Sequence, residues 1–371
     1  MDTSRIYYNV VVTLIVAWWA ASAGAEVDVQ RSVREPVDRV GYTWNEEGIA
    51  RVVEHARERE EERMRVSASR LGLDEGKGLV AAVSPHDDYA YAQQVYAHVY
   101  PHLTAKTVIL VGVAHKARDF PGTEGKLVFE SFDAWRGPYG EVAVSPLRDE
   151  WLAELPEGEV AVIEDDLHRV EHSLEALIPW LQHHRRDVEI VPILVPAMTW
   201  DQLDFLAERA SDPLTHLLRS KGWALGEDVA ILISSDAVHY GDEGWGGGAF
   251  ADFGVDGAGY DKGVARDLDL VQEHLAGELS PVRLGELFHR LVQDDVRQYK
   301  ITWCGRFSIP WGLGLAYYTN RNLKRPALQG ELLRYGTTLD PGRHDPGVEG
   351  LGVTAPANLH HWVGFFSMGF R

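Results

Sequence analysis

Two histidines stand directly beyond β-rich apolar runs. Ser84-Pro85-His86-Asp87-Asp88-Tyr89 follows Leu79–Val83, and Val113-Ala114-His115 follows Thr107–Gly112. Adjacent parallel strands lie roughly 4.8 Å apart, so imidazoles at equivalent ends of neighbouring strands can reach one metal ion. Ligands of open α/β sheets bind beyond this carboxyl edge. A lone histidine there reads as a hydrogen-bonded loop residue, whereas a matched pair reads as a metal site. A third strand end carries Ser234-Ser235-Asp236-Ala237-Val238-His239-Tyr240-Gly241. An aspartate three residues ahead of a histidine in a tight turn can orient the imidazole and raise its basicity, as a general base requires. The plainer alternative is Asp236 capping the next helix, with His239 nearby by chance. A fourth segment is Glu171-His172-Ser173-Leu174-Glu175, preceded by His168. His168 and His172 have i, i+4 spacing, but no acidic base lies between them in the metalloprotease pattern. His172 alone is expected to face the pocket, with Glu171 and Glu175 serving the following helix N-terminus.

Cys304 is the one cysteine of the chain and lies in Ile301-Thr302-Trp303-Cys304-Gly305-Arg306. It has no intrachain disulfide partner, so its thiol is read as kept for chemistry rather than crosslinking. A small buried hydrophobe is the competing reading. The compartment sharpens the point. Arg5 precedes the apolar stretch Val10–Ala20, and Ala21-Ser22-Ala23 and Ala23-Gly24-Ala25 offer two small-x-small cleavage patterns before Glu26. The stretch is short of the roughly 20 apolar residues that span a bilayer. Residues 1–25 are therefore expected to be an export signal, and 26–371 one domain in the periplasm or medium, free of the membrane after cleavage. An uncleaved N-terminal anchor is the alternative.

Asp2 and Arg5 cancel, so the net charge of −20 belongs to the mature part. Such a surface repels phosphate backbones and anionic lipid, which excludes nucleic acid as a partner and leaves a small-molecule substrate. A hydrophobic fraction of 45 %, with twelve Trp and fourteen Tyr, supports a large core rather than disorder.

Elements that could position these groups alternate along the chain. Thr43-Trp44-Asn45-Glu46 reads as a capping box opening a polar helix to about Arg65. A strand at 79–83, a helix from Tyr91 to Leu103 and a strand at 107–112 make a βαβ unit. Further strands are predicted at Val160–Ile163, Glu189–Val195, Val229–Ser234, Tyr299–Trp303 and Trp362–Phe370. Helices are predicted at His172–His184, Trp200–Arg219 and Leu284–Gln293. The alternation gives a three-layer α/β sandwich with a mostly parallel or mixed central sheet. The Gly-rich stretches Gly244–Tyr260 and Asp340–Ala357 read as long surface loops.

Taken in order, Pro85-His86 with Tyr89, Gly112 with His115, Glu171-His172-Ser173 with Glu175, Ser234-Ser235-Asp236 with His239-Tyr240-Gly241, and Cys304-Gly305-Arg306 resemble the motifs of the Memo family. This is the B component of the AmmeMemoRadiSam system, similar in fold to the class III extradiol ring-cleavage dioxygenases. Arg34-Glu35-Pro36-Val37 before Gly41-Tyr42, and Tyr335-Gly336-Thr337-Thr338, resemble its terminal motifs. The likeness covers nearly all of the chain beyond the leader.

The resemblance implies His86, His115 and Cys304 as metal ligands, with Asp236 and His239 in the same pocket. Two imidazoles and a thiolate make a soft, electron-rich site that suits iron(II) or copper and accepts zinc. The implied activity is a metal-dependent oxidoreductase of dioxygenase type acting on a phenolic or oxygen-rich small molecule. A metal-sequestering protein and a metal-assisted hydrolase are the alternatives. The chain departs from the family pattern at Asp87-Asp88 and at Gly112-Val113-Ala114. The two aspartates are read as extra ligands, as partners of an imidazole, or as solvent-facing turn residues.

Overall fold

The computed structural model describes residues 32–73, 78–156, 158–243, 248–340 and 344–371. The export-signal expectation lies outside these residues, as does most of the Gly244–Gly248 run. Along the chain run β1 (Val33–Arg34), β2 (Ala81–Ser84), β3 (Thr107–Val113), β4 (Leu127–Phe129), β5 (Ala134–Gly137), β6 (Gly140–Ala143), β7 (Ala161–Ile163), β8 (Glu189–Val195), β9 (Val229–Ser234), β10 (His239–Gly241), β11 (Gly277–Glu278), β12 (Gln329–Thr337) and β13 (His361–Phe370).

Successive residues of a strand point to opposite faces of a sheet, and here both faces are apolar. Ile109 and Val111 of β3, Ile231 and Ile233 of β9, and Val191 and Ile193 of β8 enter one core. Val108 and Leu110, Ala230 and Leu232, and Ile190 and Leu194 enter the other. The helices Leu147–Glu154, Trp200–Lys221, Pro281–Leu291 and Ser308–Asn322 cover the first face. Glu46–Arg70, Tyr89–Tyr96 and Leu177–His184 cover the second. Burial on both faces explains why these strands read as continuous apolar runs. The result is the three-layer sandwich expected from the sequence, within one compact unit spanning Val33–Arg371.

The main sheet has the order β11-β12-β13-β2-β9-β3-β8-β4-β7, with β10 paired to β13. β2, β9, β3 and β8 are mutually parallel neighbours, while β13 pairs antiparallel with β2, so the sheet is mixed. One expectation is corrected here. β2 and β3 are not adjacent, because β9 lies between them with Ile231 in register with both Ala81 and Ile109. The crossover through Tyr89–Tyr96 skips one strand position, which the spacing of apolar runs cannot encode.

Other boundaries shift for local reasons. The first helix is capped by Asn45, whose side chain accepts from Gly48 N, and it runs on to Arg70. Tyr91–Leu103 is a helix only to Tyr96, followed by a 3-10 turn at Tyr100–His102 with Pro101 in its first turn. The helix expected at His172–His184 begins only at Leu177, and a separate short helix, Asp165–Val170, precedes it, so His168 lies on that helix and His172 beyond its end, and the two do not share a helical face. His168 is buried against Val128 O at 3.0 Å, away from the pocket chemistry. Tyr299–Trp303 forms no strand, only isolated bridges to Val292 and Val238. Gly257–His274 forms a helix whose first residues fall within the expected Gly244–Tyr260 loop.

That helix supplies a clamp. Buried Asp267 accepts hydrogen bonds from Trp303 Nε1 at 2.7 Å, Tyr335 OH at 2.9 Å and Val238 N at 3.2 Å. It thereby ties the residue before Cys304 to the residue before His239. Burial raises its carboxyl pKa to about 6 against the pull of these donors. The pKa is higher folded than unfolded, so this group's contribution to stability is full below about pH 4 and is lost as pH rises through 6. Urea unfolding should show the wild type losing about 3 kcal/mol relative to Asp267→Asn between pH 4 and 7. Parallel stability curves for the two proteins would contradict this.

Candidate metal centre

Three parallel strands deliver three side chains by the same construction. His86, His115 and Asp236 each lie two residues past the last residue of β2, β3 and β9. Because β9 is central, Asp236 is inserted between the two histidine-bearing ends. The imidazoles of His86 and His115 approach each other there, with ring centroids 5.5 Å apart. His172, from the turn after Asp165–Val170, stacks on His115 with centroids 5.0 Å apart and planes at 4°, and lies 5.8 Å from His86.

Neighbouring groups set which nitrogen faces the shared space. Ser234 Oγ donates to Ser173 O, so at 2.8 Å it accepts from His86 Nδ1. His86 then carries its proton on Nδ1 and presents the Nε2 lone pair. Burial holds its pKa down at about 3, which keeps the ring in the neutral, ligating form. His115 Nδ1 donates to Glu171 Oε1 at 2.9 Å, again leaving Nε2 to face outward. Glu171 also accepts from the backbone N–H of His115, His172 and Ser173, at 2.7, 2.9 and 3.0 Å. Burial alone would raise the Glu171 pKa, but His115 and the other donors hold it well below the carboxylate range. Partners of this kind orient ligand histidines and raise their basicity.

The assignment of Glu171 and Glu175 to a helix N-terminus is thereby corrected. Glu171 serves His115, and Glu175 is ion-paired with Arg34 while accepting from Val37 N and Asp38 N at 2.7 and 2.8 Å. Asp88 is no solvent-facing turn residue either: it is buried and accepts from Thr354 N at 2.6 Å, tying the His86 turn to the 344–357 segment. Asp87 folds back on the backbone of Asp88. Neither belongs to a ligand-spaced group among the described residues.

Cys304 enters from the turn before Ser308–Asn322. Its close approach requires Gly305, where a Cβ would stand 2.1 Å from Ser235 Oγ. The Sγ atom lies 3.8 Å from His86 Nε2 and 3.9 Å from Asp236 Oδ2, and accepts from Asp236 N at 3.1 Å. His86 Nε2 is 3.5 Å from Asp236 Oδ2. Nitrogen and sulfur donors on one tetrahedral zinc stand about 3.6 Å apart, so the donor set fits a single transition-metal ion. Burial and the nearby Asp236 push the thiol pKa well above its usual value, so ligation releases a proton. His239 Nε2 is 3.7 Å from Asp236 Oδ2 with the ring half-buried, at the edge of this group.

Two sets of donors thus share His86: His86 with His115 and His172, and His86 with Asp236 and Cys304. Of the triad that the family resemblance implies, His115 falls in one set and Cys304 in the other. The sequence left the partner roles of Ser234, Ser173 and Asp267 unread, since each acts on a residue distant in the chain.

A family model described as Memo-like protein matches residues 52–341, more than three quarters of the chain. A MEMO1 family protein of Methanosarcina barkeri is 32 % identical over 166 residues, covering 44 % of this chain and 56 % of that protein. One of Sulfolobus acidocaldarius is 35 % identical over 164 residues, 43 % and 52 % of the two chains. The chain therefore spans about half the length of these two curated relatives. The match to a MEMO1 family protein of Thermococcus kodakarensis is longer, 25 % identical over 291 residues, 73 % and 84 % of the two chains. Every residue of the two donor sets lies within the matched segment, and on the extent of that match the chain belongs to the Memo family.

Proposed function

We propose that this Memo-family protein is an exported metal-dependent oxidoreductase of dioxygenase type, acting on a phenolic or oxygen-rich small molecule. The observation that carries the reading is that two ligand-spaced donor sets, His86 with Asp236 and Cys304 and His86 with His115 and His172, meet at His86. His86, His115 and Cys304 would hold one ion, iron(II) or copper with zinc as a third candidate; Asp236 and His172 are further donors. When bound, the metal supplies Lewis-acid and redox chemistry. His239, at the rim, takes the proton of the substrate hydroxyl, and Asp236 stabilises the imidazolium that forms. Ser234 and Glu171 hold the ligand imidazoles in one tautomer throughout. Export rests on the leader sequence.

The near-complete burial of Cys304 and Asp236, 3 % and 2 % exposed, favours a second reading in which the ion is stored rather than used. One experiment separates them. His239→Ala should retain metal occupancy while oxygen consumption on catechols and related phenols falls about 10²- to 10⁴-fold. Tight binding by iron- and copper-loaded protein that is inert toward the whole panel supports storage instead. Turnover without oxygen uptake points to hydrolysis.

A further inference from the structure

A cavity of about 760 Å³ opens beside His115. Val113, Val195 and Pro196 give it aliphatic walls, and Tyr299 and Phe307 an aromatic one. Arg306 stands in this lining although it is only 8 % exposed. Its guanidinium carbon lies 3.6 Å from the Tyr299 ring centroid and 4.5 Å from that of Phe307. Its Nε is buried without a hydrogen-bond partner.

The other buried arginines do not look like this. Arg34 is paired with Glu175, and Arg148 with Glu130 and Asp149. Among the described residues no carboxylate is ion-paired with Arg306. The other charged residues of the lining, Arg118, Glu124, Asp294, Asp295 and Arg297, are all exposed, with Arg297 bonded to Asp295 at 3.2 Å. A guanidinium stays protonated, and burying one without a counter-charge is costly. The side-chain partner of Arg306 is the Tyr299 hydroxyl, which it hydrogen-bonds, with the Cys304 sulfur near enough to interact, and neither is a carboxylate.

We infer that the cavity binds an anionic, planar small molecule, an aromatic carboxylate in the first instance, with its carboxylate on Arg306 and its ring between the aromatic and aliphatic walls. The guanidinium fork matches a carboxylate with two parallel hydrogen bonds. The stacked rings fix the fork's plane beforehand, so little rotamer freedom is lost on binding. The other end of such a ligand then points toward His115. This assignment rests on the proposed function for what happens at that end; the recognition of the anion does not depend on it.

The test uses 4-hydroxybenzoate and its neutral methyl ester as probes, titrated calorimetrically against chelator-treated full-length protein. The wild type should bind the acid at least about tenfold more tightly than the ester. Arg306→Gln should weaken the acid by about tenfold to a hundredfold and leave the ester within about twofold, with Arg306→Lys in between. Near-UV circular dichroism checks that the variants are folded, and the acid-to-ester ratio of the wild type stands without any variant. Equal affinity for acid and ester overturns the inference. So does an Arg306→Gln protein that keeps the preference, or one that loses metal affinity instead, since Arg306 would then serve the thiolate. Preference for the acid in a protein whose His86, His115 and Cys304 variants bind metal as well as wild type overturns the metal reading and supports the anion site.

Discussion

Replacing Cys304 by Ser weakens the binding of iron(II), copper or zinc by roughly a hundredfold or more. Losing even a partner of a ligand typically costs 10- to 100-fold, and here the ligand itself is replaced. A serine hydroxyl stays protonated where a thiol under a cation does not. The substitution is nearly isosteric, and the surroundings argue that it leaves the turn intact. Asp236 N donates to position 304 through a contact that an oxygen can still accept, and Gly305 N remains bonded to Ser235 Oγ at 3.1 Å. Chelator competition on wild type, Cys304→Ser and His86→Ala reads the effect, with thermal unfolding as the control for folding. A second signature accompanies it. Because the thiol is protonated before ligation, wild-type binding releases one more proton than Cys304→Ser does, visible as a buffer-dependent heat. Equal affinities in the two proteins would remove the thiol from the ligand set.

Arg34→Met destabilises the fold by about 3–5 kcal/mol, the range for breaking a buried ion pair from one side. Arg34 and Glu175 have side chains 1 % and 0 % exposed. Arg34 also donates to His168 O and Glu171 O and stacks on Trp135 at 4.5 Å. Met fills the volume but leaves the Glu175 carboxylate buried on two backbone N–H groups alone. Arg34→Met with Glu175→Leu should recover most of the loss, because no charge is then stranded. Urea denaturation of both variants measures it. A loss below about 1 kcal/mol, the scale of a surface pair, would show that water reaches the site. The same pair holds the segment carrying Glu171 and His172, so the single variant should also bind metal more weakly.

The strands β8 and β9 were legible to the residue, because Ile190–Val195 and Val229–Ile233 are apolar runs buried on both faces. Tyr299–Trp303 is equally β-rich, yet it meets its neighbours only at isolated bridges, to Val292 at one end and Val238 at the other, and a ladder needs one partner that runs alongside. The helix through Gly257–His274 was hidden in part by glycines. Gly259 lies against Gly254 O, where a Cβ would stand at 2.2 Å, and Gly263 against Trp362, at 2.9 Å, so these glycines serve close packing rather than a loop. The candidate site was legible as residue types at strand ends and illegible as partnerships. Glu171 sits 56 residues from His115, and Ser234 148 residues from His86.

By itself, then, the sequence determined the local terms: where most of the backbone is extended or helical, which faces are apolar, and that His86, His115 and Asp236 follow strand ends. Those terms are set by neighbours within a few positions, through backbone sterics and side-chain periodicity. Only the tertiary structure decided that β9 lies between β2 and β3. From that order comes the placing of Asp236 between the two histidine-bearing strand ends, and from the tertiary packing the nitrogen each imidazole presents and the approach of Cys304. The reason is that any of several apolar strands can hydrogen-bond to any other. The order is selected by how well two helical layers pack over the whole sheet, a comparison no short stretch of chain contains.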